Sequence, residues 1–110
     1  MAKQDAELTP VIFRKYGGDN GTVIALFPTD LGTMDPCTCG SYEHVGQHGA
    51  ADPFYVIRDT RPATPAQYAA LKRELESAPF GYRFRVYSRH TRAFFLARQN
   101  KLSRTNQTEG

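Results

Sequence analysis

One segment of the chain, residues 64–77, has every local signal of an amphipathic helix. Thr64 predicts an N-cap, Pro65 takes the first helical position, and Gln67 completes a capping box three residues after the cap. The same face of this helix carries three apolar side chains, namely Tyr68, Leu71 and Leu75. Because an apolar helix face must be buried against another layer, the remaining segments have to supply that layer.

Four segments have the composition of β-strands: residues 10–16, 22–27, 54–58 and 82–89. The first two flank the glycine-rich residues 17–21, which predicts an antiparallel hairpin. Apolar residues occupy both faces of the second segment, so both faces of the sheet are expected to be covered. Residues 82–89 alternate between apolar and mostly basic side chains, which is typical of a half-buried strand.

This order of segments predicts an α+β fold for the chain of 110 residues. We expect a small, mostly antiparallel sheet of about four strands, in the order β-β-loop-β-α-β, with one helix packed on a face. Residues 1–9 are expected to be a loose N-terminal segment and residues 10–98 a single domain. Residues 99–110 are predicted to be a polar C-terminal tail without regular structure.

Charge is distributed unevenly along the chain. Residues 1–57 carry three basic and seven acidic side chains, a net charge of −4, whereas residues 58–110 carry eleven basic and four acidic ones, a net charge of +7. No acidic residue occurs from position 77 to position 108. This asymmetry favours an anionic partner for the second half, two halves that face each other, or a positive surface in a cell full of RNA.

Hydropathy bears on where the protein acts. No run approaches the ~18 apolar residues that a membrane span needs, and the first residues lack the apolar stretch of a secretory signal. We therefore expect a cytoplasmic protein without a membrane partner. Cys37 and Cys39 are one residue apart, a spacing that strains a mutual disulfide.

Residues 29–53 are predicted to be a long loop, a feature that is often functional. Ser41 could cap a short helical turn that ends at His48. The loop holds four groups that zinc accepts as ligands, namely Cys37, Cys39, His44 and His48. Their spacing is unusual for zinc, so we expect no cofactor. The alternative reading makes the cysteines small core residues and lets the histidines bond loop carbonyls. If a metal binds, the candidate ligands are Cys39, His44 and His48.

The same loop could instead supply a catalytic pair. Cys39 would be the nucleophile and His44 or His48 the base, oriented by Glu43 or Asp52. Nothing in the sequence fixes this geometry, so a non-enzymatic protein is favoured.

The strand predicted at residues 82–89 offers a basic face. Arg83, Arg85 and Arg89 flank Tyr87 there, and arginines beside an aromatic ring bind phosphates and stack on bases. The alternative is the solvated outer face of a one-sided sheet.

Three stretches together resemble a family of short, uncharacterised proteins of bacteriophages and other bacterial mobile elements. They are VIFR with VIALFP (residues 11–14 and 23–28), CGSYEHVGQHG (residues 39–49) and ATPAQYAALKREL (residues 63–75). The family pattern has one cysteine, at the position of Cys39, so Cys37 departs from it. Residues 78–80 depart as well. The resemblance implies an accessory or counter-defence protein in the cytoplasm of a bacterial host, and it carries over no catalytic role.

These observations favour a small non-enzymatic protein that binds an anionic partner, either a nucleotide-like ligand or a nucleic acid. Its predicted ligand-binding residues are Tyr42, His44, Gln47, His48, Arg83, Arg85, Tyr87 and Arg89. One alternative is a metal- or His-dependent enzyme that uses the Cys/His loop. Another is an interaction module that docks on a host protein. A homodimer is a further alternative, because exposed strand edges can pair between two copies.

Overall fold

The chain forms a six-stranded sheet flanked by three helices in a computed structural model that describes residues 8–17, 21–43 and 47–109. The strands are β1 (Thr9–Tyr16), β2 (Val23–Leu31), β3 (Cys39–Glu43), β4 (Gln47–Ala51), β5 (Thr60–Pro62) and β6 (Phe84–Tyr87). The helices are α1 (Pro53–Asp59), α2 (Pro65–Glu76) and α3 (Arg92–Glu109). The predicted α+β class is confirmed, but the sheet is larger than about four strands and two further helices pack beside the expected one.

The strands follow the order β4-β3-β2-β1, and β5 and β6 share the outer side of β1. β1 and β2 form the predicted antiparallel hairpin. β6 runs parallel to the first half of β1, with Ile12 opposite Tyr87, and β5 runs antiparallel to its second half. β3–β4 and β6 therefore lie at opposite edges of the sheet.

Residues 54–58, predicted as a strand, form most of helix α1. The Asp52 side chain caps this helix by accepting a hydrogen bond from the Phe54 backbone N–H at 2.9 Å, and Pro53 follows at the first helical position. The aromatic and β-branched composition favours a strand, but the cap and the burial of Val56 against the sheet override that preference.

The predicted loop over residues 29–53 is also largely regular structure. β2 continues to Leu31 through an irregularity after Phe27, and β3 pairs with both β2 and β4. The helical turn expected after Ser41 is wrong for the described residues, because Ser41 is hydrogen-bonded within the sheet as part of β3. Residues 44–46 lie outside the described residues.

The polar tail expected at residues 99–110 continues a helix. α3 extends without interruption from Arg92 to Glu109, so the prediction of an irregular tail is wrong for residues 99–109. Among residues 92–104, whose side chains are described, the buried ones are Phe94 and Arg98, four residues apart on one face. Because one of these two is an arginine, the sequence shows no apolar periodicity there.

Both faces of the sheet are covered, as expected from the second strand. On one face, α2 packs on a cluster that contains Val11, Phe13, Ala25, Phe27, Tyr42, Leu71 and Leu75. On the other face, α1 packs on Ile12, Ile24, Leu26 and Cys39 through Val56. The capping box of α2 forms as predicted, with Thr64 and Gln67 each bonded to the other's backbone N–H.

Helix α1 is fixed to the sheet by a buried arginine. The Arg14 guanidinium donates to the backbone oxygens of Ile57 and Thr60 at 2.9 and 2.7 Å, at the carboxyl end of α1. Burial lowers the pKa of Arg14. No helix in the described parts of the chain is long and apolar enough to cross a membrane.

Candidate functional site

A groove of about 550 Å³ lies between α1 and the start of α3. Its lining combines aromatic, basic and acidic side chains with a thiol, contributed chiefly by Cys37, Asp52, Phe54, Tyr55, Arg58, His90, Phe95 and Arg98. The volume falls within the range of roughly 300–1,000 Å³ that is typical of small-molecule sites.

The wall contributed by α1 is aromatic and exposed. Because α1 turns Val56 toward the sheet, Phe54 and Tyr55 point away from the core and remain 69% and 52% exposed. Their rings meet edge to face at 5.5 Å, and the Arg58 guanidinium lies 4.8 Å from the Tyr55 ring centroid. Two adjacent aromatic side chains left in solvent beside a groove form a surface on which a planar ligand can stack.

The α3 side of the groove contains Arg98, which is only 1% exposed. Its Nη1 donates to the Pro28 carbonyl at 2.7 Å, and its Nε donates to the Pro36 carbonyl at 2.9 Å. These bonds join α3 to β2 and to the segment after it. Within the described residues, no carboxylate lies within 4 Å of this guanidinium and Nη2 makes no hydrogen bond.

The third neighbour of the Arg98 guanidinium is His90. Its Nε2 lies 2.8 Å from Arg98 Nη1, and because a guanidinium can only donate, Nε2 accepts and the imidazole is neutral. Burial lowers the pKa of His90, and the charge of Arg98 lowers it further, against a smaller opposing effect of Asp52. The hydrogen-bond partners of Arg98 among the described residues are thus all neutral.

The two remaining polar groups of the groove differ in what they can do. Asp52 uses Oδ1 to cap α1, and Oδ2 makes no hydrogen bond to any described residue, so it can accept one from a ligand. Cys37 is exposed, but the neighbouring charge of Asp35 is the main cause that raises the pKa of its thiol. A protonated thiol is a poor nucleophile.

The predicted residues of the Cys/His loop lie elsewhere. Tyr42 is fully buried and its hydroxyl is hydrogen-bonded to Glu74 of α2, so it is not accessible to a ligand. His48 is exposed on β4, and the centroid of its ring lies 4.6 Å from the centroid of the Tyr42 ring. His44 lies outside the described residues, and only the backbone of Gln47 is described.

The predicted basic strand face is divided by the fold. Arg83, Arg85 and Arg89 are exposed, but Tyr87 packs against the α1-side cluster and against Phe94, with ring centroids 5.0 Å apart. β4 and β6 are separated by four strand spacings, about 19 Å. Among the described residues, the structure therefore does not bring Tyr42, His48 and the three arginines together into one site.

The candidate metal ligands are also separated. Cys39 is buried on the α1 side of the sheet, where burial raises its pKa to about 11. His48 lies opposite Tyr42 on the α2 side, so Cys39 and His48 cannot share an ion. Among the residues described, no group of three or more His, Cys, Asp or Glu side chains is arranged to hold a metal.

Sequence reasoning missed the groove because its lining comes from three distant segments. Residues 54–58, which include Phe54, Tyr55 and Arg58, have the composition of a strand, and nothing local distinguishes Arg98 from the other basic residues of the second half. The available signal was the pair Asp52–Pro53, a cap followed by proline that matches the start of α2 at Thr64–Pro65.

Comparisons with protein-family models, curated proteins and solved structures found no match to this chain.

Proposed function

We propose that the protein is a non-enzymatic binding protein whose groove between α1 and α3 takes a small anionic ligand. The observation that carries this proposal is the buried Arg98 guanidinium, which lines the groove without a carboxylate within 4 Å among the described residues. No described residue accepts a hydrogen bond from Nη2 of Arg98.

The electrostatic cost of burying this charge favours an anion. Removing a guanidinium from water is expensive unless a counter-charge and hydrogen bonds compensate for it. Carbonyl oxygens and a neutral imidazole supply only the hydrogen bonds, as neutral oxygens also do for the buried Arg14, but of these two arginines only Arg98 lines the groove between α1 and α3. An anion in the groove would supply the missing charge in a region where water screens it poorly.

The chemistry of the other lining residues supports binding rather than turnover. Neither described thiol is held as a thiolate, since the pKa values of Cys37 and Cys39 are both raised. The imidazole of His90 already accepts a hydrogen bond from Arg98, and it makes no hydrogen bond to a nucleophilic side chain of the described residues. In the setting implied by the phage resemblance, a cytoplasmic binder of this kind would act as an accessory or counter-defence protein by sequestering its ligand.

The test is a thermal-unfolding screen with phenyl phosphate, benzoate, naphthalene sulfonate and inorganic phosphate. A ligand present at 100 times its Kd stabilises the folded state by about 2.7 kcal/mol, which raises the Tm of a domain this size by more than about 10 °C. We expect the aromatic anions to raise Tm and neutral phenol to leave it unchanged.

Arg58→Ala and Arg85→Ala form a matched pair, because each removes one exposed positive charge and only Arg58 lines the groove. The Tm shift should shrink in Arg58→Ala and persist in Arg85→Ala. A shift that Arg85→Ala reduces and Arg58→Ala leaves intact, or no shift with any anion, would reject the groove as an anion site.

A further inference from the structure

We infer that the ligand of this groove is a 5′-mononucleotide, an inference that rests on the proposed function and narrows it to one class. Three properties of the lining each match a different part of such a molecule: a cationic side, an aromatic wall and a free carboxylate oxygen. An anion without a base or a sugar would use only the first of them.

The cationic side fits a phosphate monoester. Such a group carries about −1.5 to −2 charges at neutral pH and has several acceptor oxygens. Arg98 lines the groove as a buried guanidinium, and Arg58 adds a second guanidinium that is exposed. Asp59 lies 3.0 Å from Arg58 and offsets part of its charge, so Arg98 is the principal phosphate ligand.

The aromatic wall fits a nucleobase. Phe54 and Tyr55 present exposed ring surface, and any nucleobase can stack on an aromatic side chain. Phe95 also lines the groove, and the Arg98 guanidinium lies 5.9 Å from its ring centroid. Ring and phosphate sites thus adjoin within one groove.

The carboxylate fits the sugar or an amino group. A lone acidic side chain in an anion site would repel a ligand that carries nothing but negative charge. Oδ2 of Asp52 can accept a hydrogen bond from a ribose hydroxyl or an exocyclic amine, which changes that repulsion into selectivity. A nucleotide supplies such donors, whereas an aromatic carboxylate or sulfonate does not.

The dimensions favour a monomeric ligand over a polymer. A volume of about 550 Å³ suits one small molecule. A single strand would need a continuous basic track, whereas Arg85 on β6 and Arg83 just before it do not line the groove.

The experiment is isothermal titration calorimetry of the full chain with AMP, GMP, CMP and UMP, and with fragments of AMP. We expect at least one nucleotide to bind tenfold or more tightly than its nucleoside and than ribose 5-phosphate. Tyr55→Ala should weaken nucleotide binding about tenfold and leave ribose 5-phosphate unchanged. Arg58→Ala should weaken both, and Arg85→Ala neither.

Asp52→Asn supplies a variant that folds in the same way, since asparagine caps helices as well as aspartate does. It should reduce the preference for AMP over 2′,3′-dideoxy-AMP. If phenyl phosphate binds in the groove and no nucleotide does, this inference falls and the proposed function stands. If no anion binds, both fall. Tighter binding of an oligonucleotide that depends on Arg85 would also overturn the inference.

Discussion

Two regions of this protein carry arginines, the β6 region and the groove, and the fold gives these arginines different environments. The β6 region carries Arg83, Arg85 and Arg89, which are all exposed. The groove has only Arg58 and Arg98, and Arg98 is buried among carbonyl oxygens and an imidazole. The number of positive charges favours an anion site at β6, whereas the environment of the charges favours an anion site in the groove.

The difference follows from solvent screening. An exposed arginine is stabilised by water, and pairing it with an anion is typically worth 0–1 kcal/mol. A buried guanidinium has lost that hydration, so a counter-charge that reaches it contributes more. The position of a charge in the fold therefore says more about binding than the local density of charge.

The largest expected effect separates the two regions by stability. Arg98→Ala removes three hydrogen bonds and leaves the Pro28 and Pro36 carbonyls without their donor. We expect a loss of about 3 kcal/mol in the free energy of unfolding, measured by urea denaturation. Arg85→Ala should cost less than about 0.5 kcal/mol. Similar losses of stability in both variants would show that the buried Arg98 and the exposed Arg85 contribute equally to the fold.

The next effect is a loss of ligand affinity without a loss of folding stability. Tyr55→Ala removes an exposed ring of the groove, so the unfolding free energy should change by less than about 0.5 kcal/mol. Its affinity for the nucleotide that binds wild type should fall about tenfold, or ~1.4 kcal/mol, by calorimetry. A variant that binds as well as wild type would show that the aromatic wall contributes nothing.

Tyr42→Phe should show the opposite behaviour. It removes the hydroxyl bonded to Glu74 in the α2-side core, for an expected loss of about 1 kcal/mol in stability by denaturant titration. Ligand affinity should be unchanged, because Tyr42 lies on the opposite face of the sheet from α1. A fall in affinity with intact folding would restore Tyr42 to the binding site.

The smallest effect is a dependence on pH. Burial and Arg98 lower the pKa of His90 below its ordinary value of 6.5, so the folded state disfavours the protonated ring. This contribution to stability is complete above the unfolded pKa and is lost as pH falls through about 6.5 toward the folded value. His90→Gln keeps an acceptor for Arg98 and should flatten the stability profile between pH 7.5 and 5. An unchanged slope would show that His90 does not titrate in this range.

How much the sequence could predict depended on whether a signal was local. Thr64, Pro65 and Gln67 fixed the start of α2, and the alternation after Tyr82 identified β6. The same cap-and-proline signal at Asp52 was outweighed by the β-prone residues that follow it. Local composition could not settle that case, since the burial of Val56 against the sheet decides it.

Local sequence signals could not predict the groove, for a different reason. Its lining depends on α3 packing beside α1, and the buried face of α3 presents Arg98 where an apolar residue would normally reveal the periodicity. The segments that meet there, around Cys37, Tyr55 and Arg98, are far apart in the chain. Only the tertiary structure brings them together.

The most direct test of the central claim is native mass spectrometry of the gently purified protein alongside Arg58→Ala and Arg85→Ala. The account predicts an adduct with the mass of one small anionic ligand on the wild type and on Arg85→Ala, which is depleted in Arg58→Ala and lost on denaturation. An adduct depleted by Arg85→Ala and retained by Arg58→Ala would place binding on β6 and contradict the account.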